Sequence, residues 1–281
     1  MFFSTSYFSS ASQYAEFQLS FGKVLKYHPT MHRFYLLFCL FVTAPLWAEH
    51  ATQKVPAQLH ISTPVWPGFT NADGSGAYAE LFQWIYAEQQ VTLVWHFSNF
   101  GRAINLVQQG KHHLVPGLSA HSSASQRHAL LLSAQPFDFD FIVAIYNPEH
   151  LAAPDLSTLR QHRLAWDLAY DLHLLLGLPE KGYEVVSMQQ GLELVKNGRV
   201  DIYLAEKSEL LQYLQGETPI KLQPLRYQEL LRDAIYLAFA DNEAGKAFKT
   251  IWDQRFSELQ KTGQLKTFYR RYPQLTLPAL P

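Results

Sequence analysis

Apolar and polar residues alternate with two different periods along the chain after residue 57. Gln58–Thr63 alternates in the manner of a strand, whereas Ala77–Gln89 places its apolar residues at helical spacing. Two more strands are predicted at Val91–Phe97 and Leu114–Leu118. A helix is predicted between them at Gly101–Gln109, with Asn99 or Ser98 as its candidate cap. This order predicts a parallel sheet with helices on its faces.

The same alternation restarts after a longer apolar strand, Phe139–Tyr146, which ends at Asn147. The pattern then predicts three strands, at Arg163–Trp166, Val185–Val186 and Val200–Leu204. Each of them is followed by a predicted helix, at Asp171–Leu176, Met188–Lys196 and Lys207–Leu214 respectively. A further strand is predicted at Ile235–Ala240, followed by amphipathic helices over Glu243–Tyr272 that Gly263 interrupts.

The second set of strands and helices is enclosed by the first set along the chain. We therefore predict two lobes joined by two crossing segments, with residues 49–146 and 234–281 in lobe 1 and residues 147–233 in lobe 2. Lobes of this kind place a ligand in the cleft between them, at the carboxyl ends of the parallel strands.

A targeting signal precedes these elements. Met31 is followed by two basic residues, by the apolar run Phe34–Val42 and by a small residue at Ala48. This order predicts a cleaved secretory signal over residues 31–48, with Ala44 as the alternative cleavage position. The apolar run is too short to span a bilayer. Residues 1–30 precede a complete signal, so we interpret them as an extension from a start codon assigned too far upstream.

Composition narrows the function classes. Of the 281 residues, 48% are hydrophobic and 17% are charged, and the formal net charge is -1. Without a basic stripe, nucleic acid is not an expected partner. The single cysteine, Cys39, lies in the predicted signal, so the exported chain is expected to have neither disulfides nor thiolate chemistry.

Five segments, in order, resemble the family-3 extracellular solute-binding proteins, the polar-amino-acid binders of ABC transport systems. They are Gly76–Leu81 (GAYAEL), Asn99–Ser119, Gln126–Phe137 (QRHALLLSAQPF), Asn197–Glu206 (NGRVDIYLAE) and residues 263–272 (GQLKTFYRRY). The resemblance implies the type II periplasmic-binding-protein fold, an α/β fold of two lobes. Each lobe is expected to be a mainly parallel sheet flanked by helices, and two hinge segments are expected to join the lobes.

The resemblance also implies a ligand site. Arg127 matches the family's arginine, which holds a ligand carboxylate through paired hydrogen bonds, and Ser119 and Ser122 are candidates to complete that contact. Glu206 matches the acid that the family supplies from the second lobe to a ligand ammonium.

Two aromatic residues, Trp66 and Phe100, match positions that flank the ligand side chain in the family. The chain departs from the family after the first strand of lobe 2, where WDLAYDLH replaces an anion-binding Gly-Thr loop. Asp167, Tyr170 or Asp171 is expected to line the cleft there, which favours a cationic or uncharged group on the ligand.

The main prediction is thus a monomeric periplasmic binding protein, not an enzyme, that closes on an amino-acid-like ligand and serves an inner-membrane permease or receptor. One alternative is a sensor component that presents its ligand to a membrane receptor. Another is a dehydratase-like enzyme on the same fold, with Asp167, Asp171 and Glu206 as the candidate carboxyls.

Metal and cofactor sites are not expected. Four histidines lie close together in the sequence: His112, His113, His121 and His128. Their spacing matches no structural zinc pattern. Gly74–Ala79 fits the dinucleotide fingerprint only superficially, because the preceding strand is too far away and no acidic residue follows the next strand.

Overall fold

The computed structural model describes residues 55–215 and 222–279. The predicted signal at 31–48, the extension at 1–30 and Cys39 lie outside the described residues. In these two ranges, no helix combines the length and the apolar character that crossing a membrane requires.

Nine strands are present in the described residues. They are β1 (Gln58–Thr63), β2 (Thr92–Phe97), β3 (Leu114–Ser119), β4 (Leu130–Leu132), β5 (Asp138–Tyr146), β6 (Leu164–Asp167), β7 (Tyr183–Val185), β8 (Ile202–Glu206) and β9 (Arg226–Ala240). Eight α-helices accompany them in these same ranges: α1 (Ala77–Tyr86), α2 (Phe100–Gln108), α3 (Ala124–Arg127), α4 (Leu172–Leu175), α5 (Met188–Lys196), α6 (Lys207–Gln215), α7 (Glu243–Lys261) and α8 (Gln264–Tyr269).

Most of these elements agree with the predicted periodicity. β1 and α5 have the predicted bounds, and the Asn99 side chain caps α2 by accepting a hydrogen bond from the Arg102 amide at 2.9 Å. Neither α3 nor β4 was predicted from the sequence, because these elements are only four and three residues long. The last strand was predicted from Ile235, whereas β9 begins at Arg226, because the first residues of β9 are exposed and mostly polar.

Strand pairing divides the sheet into two halves. Its order is β2-β1-β3-β9-β5-β8-β6-β7, with β4 on β9. The strands pair in parallel on either side of the centre, β1 with β2 and β3, and β6 with β7 and β8. β5 and β9 pair antiparallel to each other and to their neighbours, so the two strands that run between the halves form the centre of the sheet.

Each half has its own core. In the first half, α1 and α7 pack aromatic side chains together, with Phe82 and Trp252 edge to face at 5.4 Å between ring centroids. In the second half, Leu192 on α5 packs on one face of the sheet and Trp166 lies on the other. A Cβ atom at Gly191 would lie 2.5 Å from the Tyr203 ring, so α5 approaches β8 more closely than any larger residue allows.

Candidate functional site

A small, partly open cavity lies where the two halves meet, beside the carboxyl ends of β3 and β8. We call it the inner cavity, and its volume is about 50 Å³. Its wall contains five aromatic rings, those of Trp66, Phe69, Tyr78, Phe100 and Tyr170. It also contains five carboxyl groups, those of Asp140, Asp171, Glu206, Glu209 and Asp233. The inner cavity is thus both aromatic and strongly acidic.

A wider depression adjoins the inner cavity on the side of α6, and we call it the outer groove. It has a volume of about 940 Å³ and shares Glu209 and four aromatic rings with the inner cavity, those of Trp66, Phe69, Phe100 and Tyr170. Asp167 adds a carboxyl group, and the exposed side chains of Val65, Leu168 and Val186 give the groove an apolar rim. A ligand held in the inner cavity can therefore extend into the outer groove.

The aromatic wall connects the two halves. Trp66 and Phe100 come from the first half, with ring centroids 5.8 Å apart, and Tyr170 of the second half lies 5.7 Å from Phe100. Gly117 makes room for this arrangement, because a Cβ atom there would lie 2.6 Å from the Trp66 ring. The rings therefore form a continuous surface across the cleft.

Two carboxyl groups face each other across the central strands. Asp140 of β5 and Asp233 of β9 are direct partners in the antiparallel register. Asp140 accepts hydrogen bonds from the Ser208 hydroxyl and amide, and Asp233 accepts one from the Ser119 hydroxyl at 3.1 Å. Burial raises the pKa of both carboxyls, and these hydrogen bonds oppose the rise.

Two glutamates from β8 and α6 complete the acidic surface. Burial raises the pKa of Glu209 to about 8, although hydrogen bonds from the Tyr170 hydroxyl (2.5 Å) and from Trp66 oppose the rise. The pKa of Glu206 is raised well above its ordinary value, first by burial and then by the charges of Glu209 and Asp140. Like charges held in a buried site disfavour one another's ionised form.

A further acid lies behind the wall of the inner cavity. Asp138 is buried, and its carboxylate accepts a hydrogen bond from the Tyr78 hydroxyl at 2.9 Å. It also accepts bonds from the Phe139 and Thr276 amides, both at 2.7 Å. Burial outweighs these bonds and raises the pKa of Asp138 to about 7.

The structure brings six of the eight predicted site residues to the inner cavity: Trp66, Phe100, Ser119, Ser122, Tyr170 and Glu206. Asp167 lies instead in the outer groove, where its carboxylate accepts a hydrogen bond from the Tyr203 hydroxyl at 2.8 Å. That these residues bind a ligand stays a prediction.

Arg127 does not reach the cavity. Its side chain is exposed and lines neither the inner cavity nor the outer groove, whereas the preceding residue, Gln126, lines the inner cavity. Successive residues on a helix point about 100° apart, so the two neighbours on α3 cannot face the same way. The Gln126 amide nitrogen donates to the Ala169 carbonyl at 2.6 Å, which fixes this side chain across the cleft. The prediction that placed a guanidinium in the site is therefore not met by the geometry.

Several residues of the cavity were missed by the sequence analysis: Gln126, Asp140, Ser208, Glu209 and Asp233. One signal for Asp140 was present, because acids alternate with apolar residues in Asp138–Phe141, at the start of an otherwise apolar strand. An acid in a buried strand needs a partner or a function. No local pattern marked Glu209, which reaches the cavity only because α6 follows β8 directly.

The histidines cluster differently from the prediction. His112 and His113 pack with His60 and His96, and the His60 and His96 ring nitrogens are 2.9 Å apart, whereas His121 lines the inner cavity. Within residues 55–215 and 222–279, no group of three or more histidines, cysteines or acids has the geometry to hold a metal ion.

The carboxyls of the enzyme alternative are spread over two sites. Asp171 and Glu206 line the inner cavity, whereas Asp167 lies in the outer groove. Asp171 is ion-paired with Lys181, with 3.1 Å between the side-chain oxygen and nitrogen.

Comparisons with known proteins identify the fold. No protein-family model matches the chain, and no curated protein matches it by sequence. Solved structures do match. One is a histidine kinase sensor domain with similarity to periplasmic binding proteins, at a TM-score of 0.65 and 15% identity, covering 79% of this chain and 98% of that one.

Two further similar structures carry ligands in their names. A substrate-binding protein of an ABC uptake transporter from Streptococcus pneumoniae, with bound histidine, matches at a TM-score of 0.60 and 16% identity, over 77% of this chain and 92% of that one. An amino acid ABC transporter substrate-binding protein from the same species, bound to L-arginine, matches at a TM-score of 0.58 and 19% identity. The match covers 76% of this chain and 94% of that one. The chain therefore has the two-lobed α/β fold of periplasmic binding proteins, as the sequence predicted.

Proposed function

We propose that this protein is an exported solute-binding protein that closes on a small polar ligand, with amino acids as the first class to test, and delivers it to an ABC-type transporter. The inner cavity carries this proposal, because it lies between the two halves and is lined by side chains from both. A ligand that contacts Trp66 on one side and Glu206 on the other has more contacts when the halves are closed. That differential affinity is what shifts the population toward the closed form.

The hinges of this movement are proposed within β5 and β9. β9 pairs with β3 as far as Ile235, and β5 pairs with β8 from Ile142 onward. The crossings then fall near the facing residues Asp140 and Asp233. The sequence placed the second crossing at 233 but the first at the end of β5, after Tyr146. Hinges at the floor of the cavity would let its acids respond directly to closure.

Contacts at the margin of the cleft support a closed conformation. The Gln126 side chain reaches the Ala169 carbonyl, and a Cβ atom at Gly101 would lie 3.2 Å from the Ala169 side chain. Phe100 packs against Tyr170 across the same margin. Because these contacts are few and polar or aromatic, opening the cleft would expose little apolar surface to water.

Export to the periplasm is proposed from the signal at residues 31–48. A periplasmic monomer would release its ligand to an inner-membrane permease, the partner that the transport function requires. The named functions of the similar structures, binding and sensing, support ligand binding without chemical change rather than an enzyme. The similarity of this chain to a histidine kinase sensor domain favours one second candidate function, that of a component that presents its ligand to a membrane receptor.

The test is thermal unfolding of the purified protein against a panel of amino acids, amines, carboxylates and sugars. A ligand at about 100 times its dissociation constant stabilises the native state by about 2.7 kcal/mol, which raises the midpoint by several degrees. We expect at least one solute to do so and to be recovered unchanged. If no member of the panel raises the midpoint, the binding function is wrong; if the ligand is converted to product, the enzyme alternative replaces it.

A further inference from the structure

The inner cavity has an excess of acidic side chains. Five carboxyl groups line it, and two of them, those of Asp140 and Asp233, belong to facing residues of β5 and β9. Among the described residues, no lysine or arginine lines this space, and His121 is its one imidazole. A site with this charge attracts a cation and repels an anion.

Four of the five carboxyl groups are already held by the protein. Hydroxyl groups of Ser208, Ser119 and Tyr170 donate to Asp140, Asp233 and Glu209 respectively, and Lys181 pairs with Asp171. These bonds orient the acids and include one cation, Lys181, while the charge of Lys207 lowers the pKa of Asp140 without lining the cavity. The cation that pairs with Asp171 is itself largely exposed, with 56% of its side-chain surface accessible.

Glu206 is the exception. Its side chain is half-buried and lines the inner cavity, yet in the described part of the chain no hydrogen bond or ion pair reaches it. The next residue, Lys207, is paired with Glu229 outside the cavity. Without a partner this carboxyl group holds its proton more tightly, whereas a ligand that supplies a positive charge or a donor would stabilise the ionised form. Glu206 therefore marks the position of a cationic group.

The aromatic wall suits the same group. Trp66, Phe100 and Tyr170 present their rings to the cavity that Glu206 lines. The face of an aromatic ring attracts an ammonium or guanidinium ion, most strongly where water is excluded. Aromatic rings and carboxyl groups thus line the same small space, and Glu209 is hydrogen-bonded to both Tyr170 and Trp66.

Nothing comparable is available for a ligand carboxylate. Gln126, rather than Arg127, points toward the cavity, and its amide nitrogen is already bonded to Ala169. A ligand carboxylate in this space would lie among like charges without a guanidinium to compensate for them. We propose that the ligand is an organic amine or guanidine without a carboxylate, with its cationic head held by Glu206 and the aromatic wall. The proposal rests on the proposed binding function and narrows its amino-acid-like ligand to the decarboxylated form.

The dimensions agree with a cationic head and a longer body. A space of about 50 Å³ holds a few water molecules or one small head group. The rest of the ligand then extends along the shared aromatic rings into the outer groove. Asp167 lies there, so a second amine at the far end of the ligand would also meet a carboxylate.

Three matched pairs of compounds test the missing carboxylate directly: agmatine and arginine, putrescine and ornithine, and histamine and histidine. The members of each pair differ only in the carboxylate. We would measure their dissociation constants by calorimetry on the full exported protein at pH 8. We expect at least one carboxylate-free member to bind about tenfold or more tightly than its partner, because an uncompensated charge in a buried site costs at least that much.

Two matched variants test the assigned acid. Glu206→Gln keeps the shape of the side chain but removes its charge, and should weaken the preferred amine about tenfold or more. Glu149→Gln makes the same change at an exposed position away from the cavity and should leave the dissociation constant unchanged. A single cooperative thermal unfolding transition for both variants without ligand would exclude misfolding as the cause of a weaker affinity.

The outcomes separate the two proposals. If the carboxylated member binds more tightly in every pair that binds, or if only solutes outside the three pairs bind, the cation proposal is overturned and the binding function stands. If Glu206→Gln leaves the affinity for the preferred amine unchanged, the assignment of Glu206 is overturned. If no solute of any class binds, the binding function itself fails.

Discussion

The buried carboxyl of Asp138 makes the stability of the protein depend on pH in a direction that follows from the structure. Burial is the main reason why its pKa rises from 3.8 to about 7. The folded state therefore holds the proton more tightly than the unfolded chain does. Stability from this group is complete below pH 3.8 and is lost as the pH rises through about 7.

The size of the effect follows from the two pKa values. Between pH 5 and pH 8 the unfolded carboxyl is almost fully ionised, whereas the folded one is still losing its proton. Integrating the proton linkage over this interval gives a loss of about 3 kcal/mol in the free energy of unfolding. This loss is a sizeable part of the total stability of an ordinary domain.

Asp138→Asn removes the titration at this position. We expect the variant's free energy of unfolding to fall about 3 kcal/mol less than the wild type's between pH 5 and pH 8. Urea unfolding without ligand at pH 5, 6, 7 and 8 measures both profiles. Asp241→Asn, which changes an exposed carboxyl, should keep the wild-type slope. Parallel profiles for the wild type and Asp138→Asn would refute the argument, whatever their vertical offset.

Three other changes give outcomes of known direction. Gly191→Ala should destabilise the protein by about 1–3 kcal/mol in urea unfolding, because its new Cβ atom would lie 2.5 Å from the Tyr203 ring; unchanged stability would mean that α5 is not packed this tightly. Gln126→Arg should move binding toward the carboxylated member of each matched pair, and an unchanged affinity ratio would show that this position does not face the ligand. Burial and neighbouring imidazoles lower the pKa of His112 from 6.5 to about 4, so its effect on stability should be absent above pH 6.5 and destabilising as the pH falls toward 4. His112→Gln should therefore reduce the acid sensitivity of thermal unfolding, and equal acid sensitivity would contradict that role.

Local patterns sufficed to predict much of the fold. The alternation in Gln58–Thr63 and the helical spacing in Met188–Lys196 depend only on which side of each element is buried, and both elements have the predicted bounds. β9 was predicted only from Ile235 onward, because its earlier residues pair with β5 while their side chains stay exposed. A strand held by its backbone partner leaves little hydrophobic pattern in the sequence.

The site was less accessible to sequence reasoning. Glu206 was expected at the cleft because the resemblance matched it to the acid that the family supplies from its second lobe. Asp140 and Asp233 meet only through the register of β5 and β9, across a separation that no local window covers. The choice between Gln126 and Arg127 depends on the direction of a single side chain in the short helix α3, which sequence spacing alone does not fix.

Proton release on binding tests the central claim most directly. A cation beside Glu206 and Glu209 should lower their raised pKa values, and Glu209, with a pKa of about 8, carries its proton in about half of the molecules at pH 8. We would titrate the preferred amine by calorimetry at pH 8 in phosphate and in Tris, which differ in ionisation enthalpy. The account predicts net proton release, measured as a difference between the two apparent enthalpies. Equal enthalpies, or proton uptake, would contradict a cation held by these carboxyls.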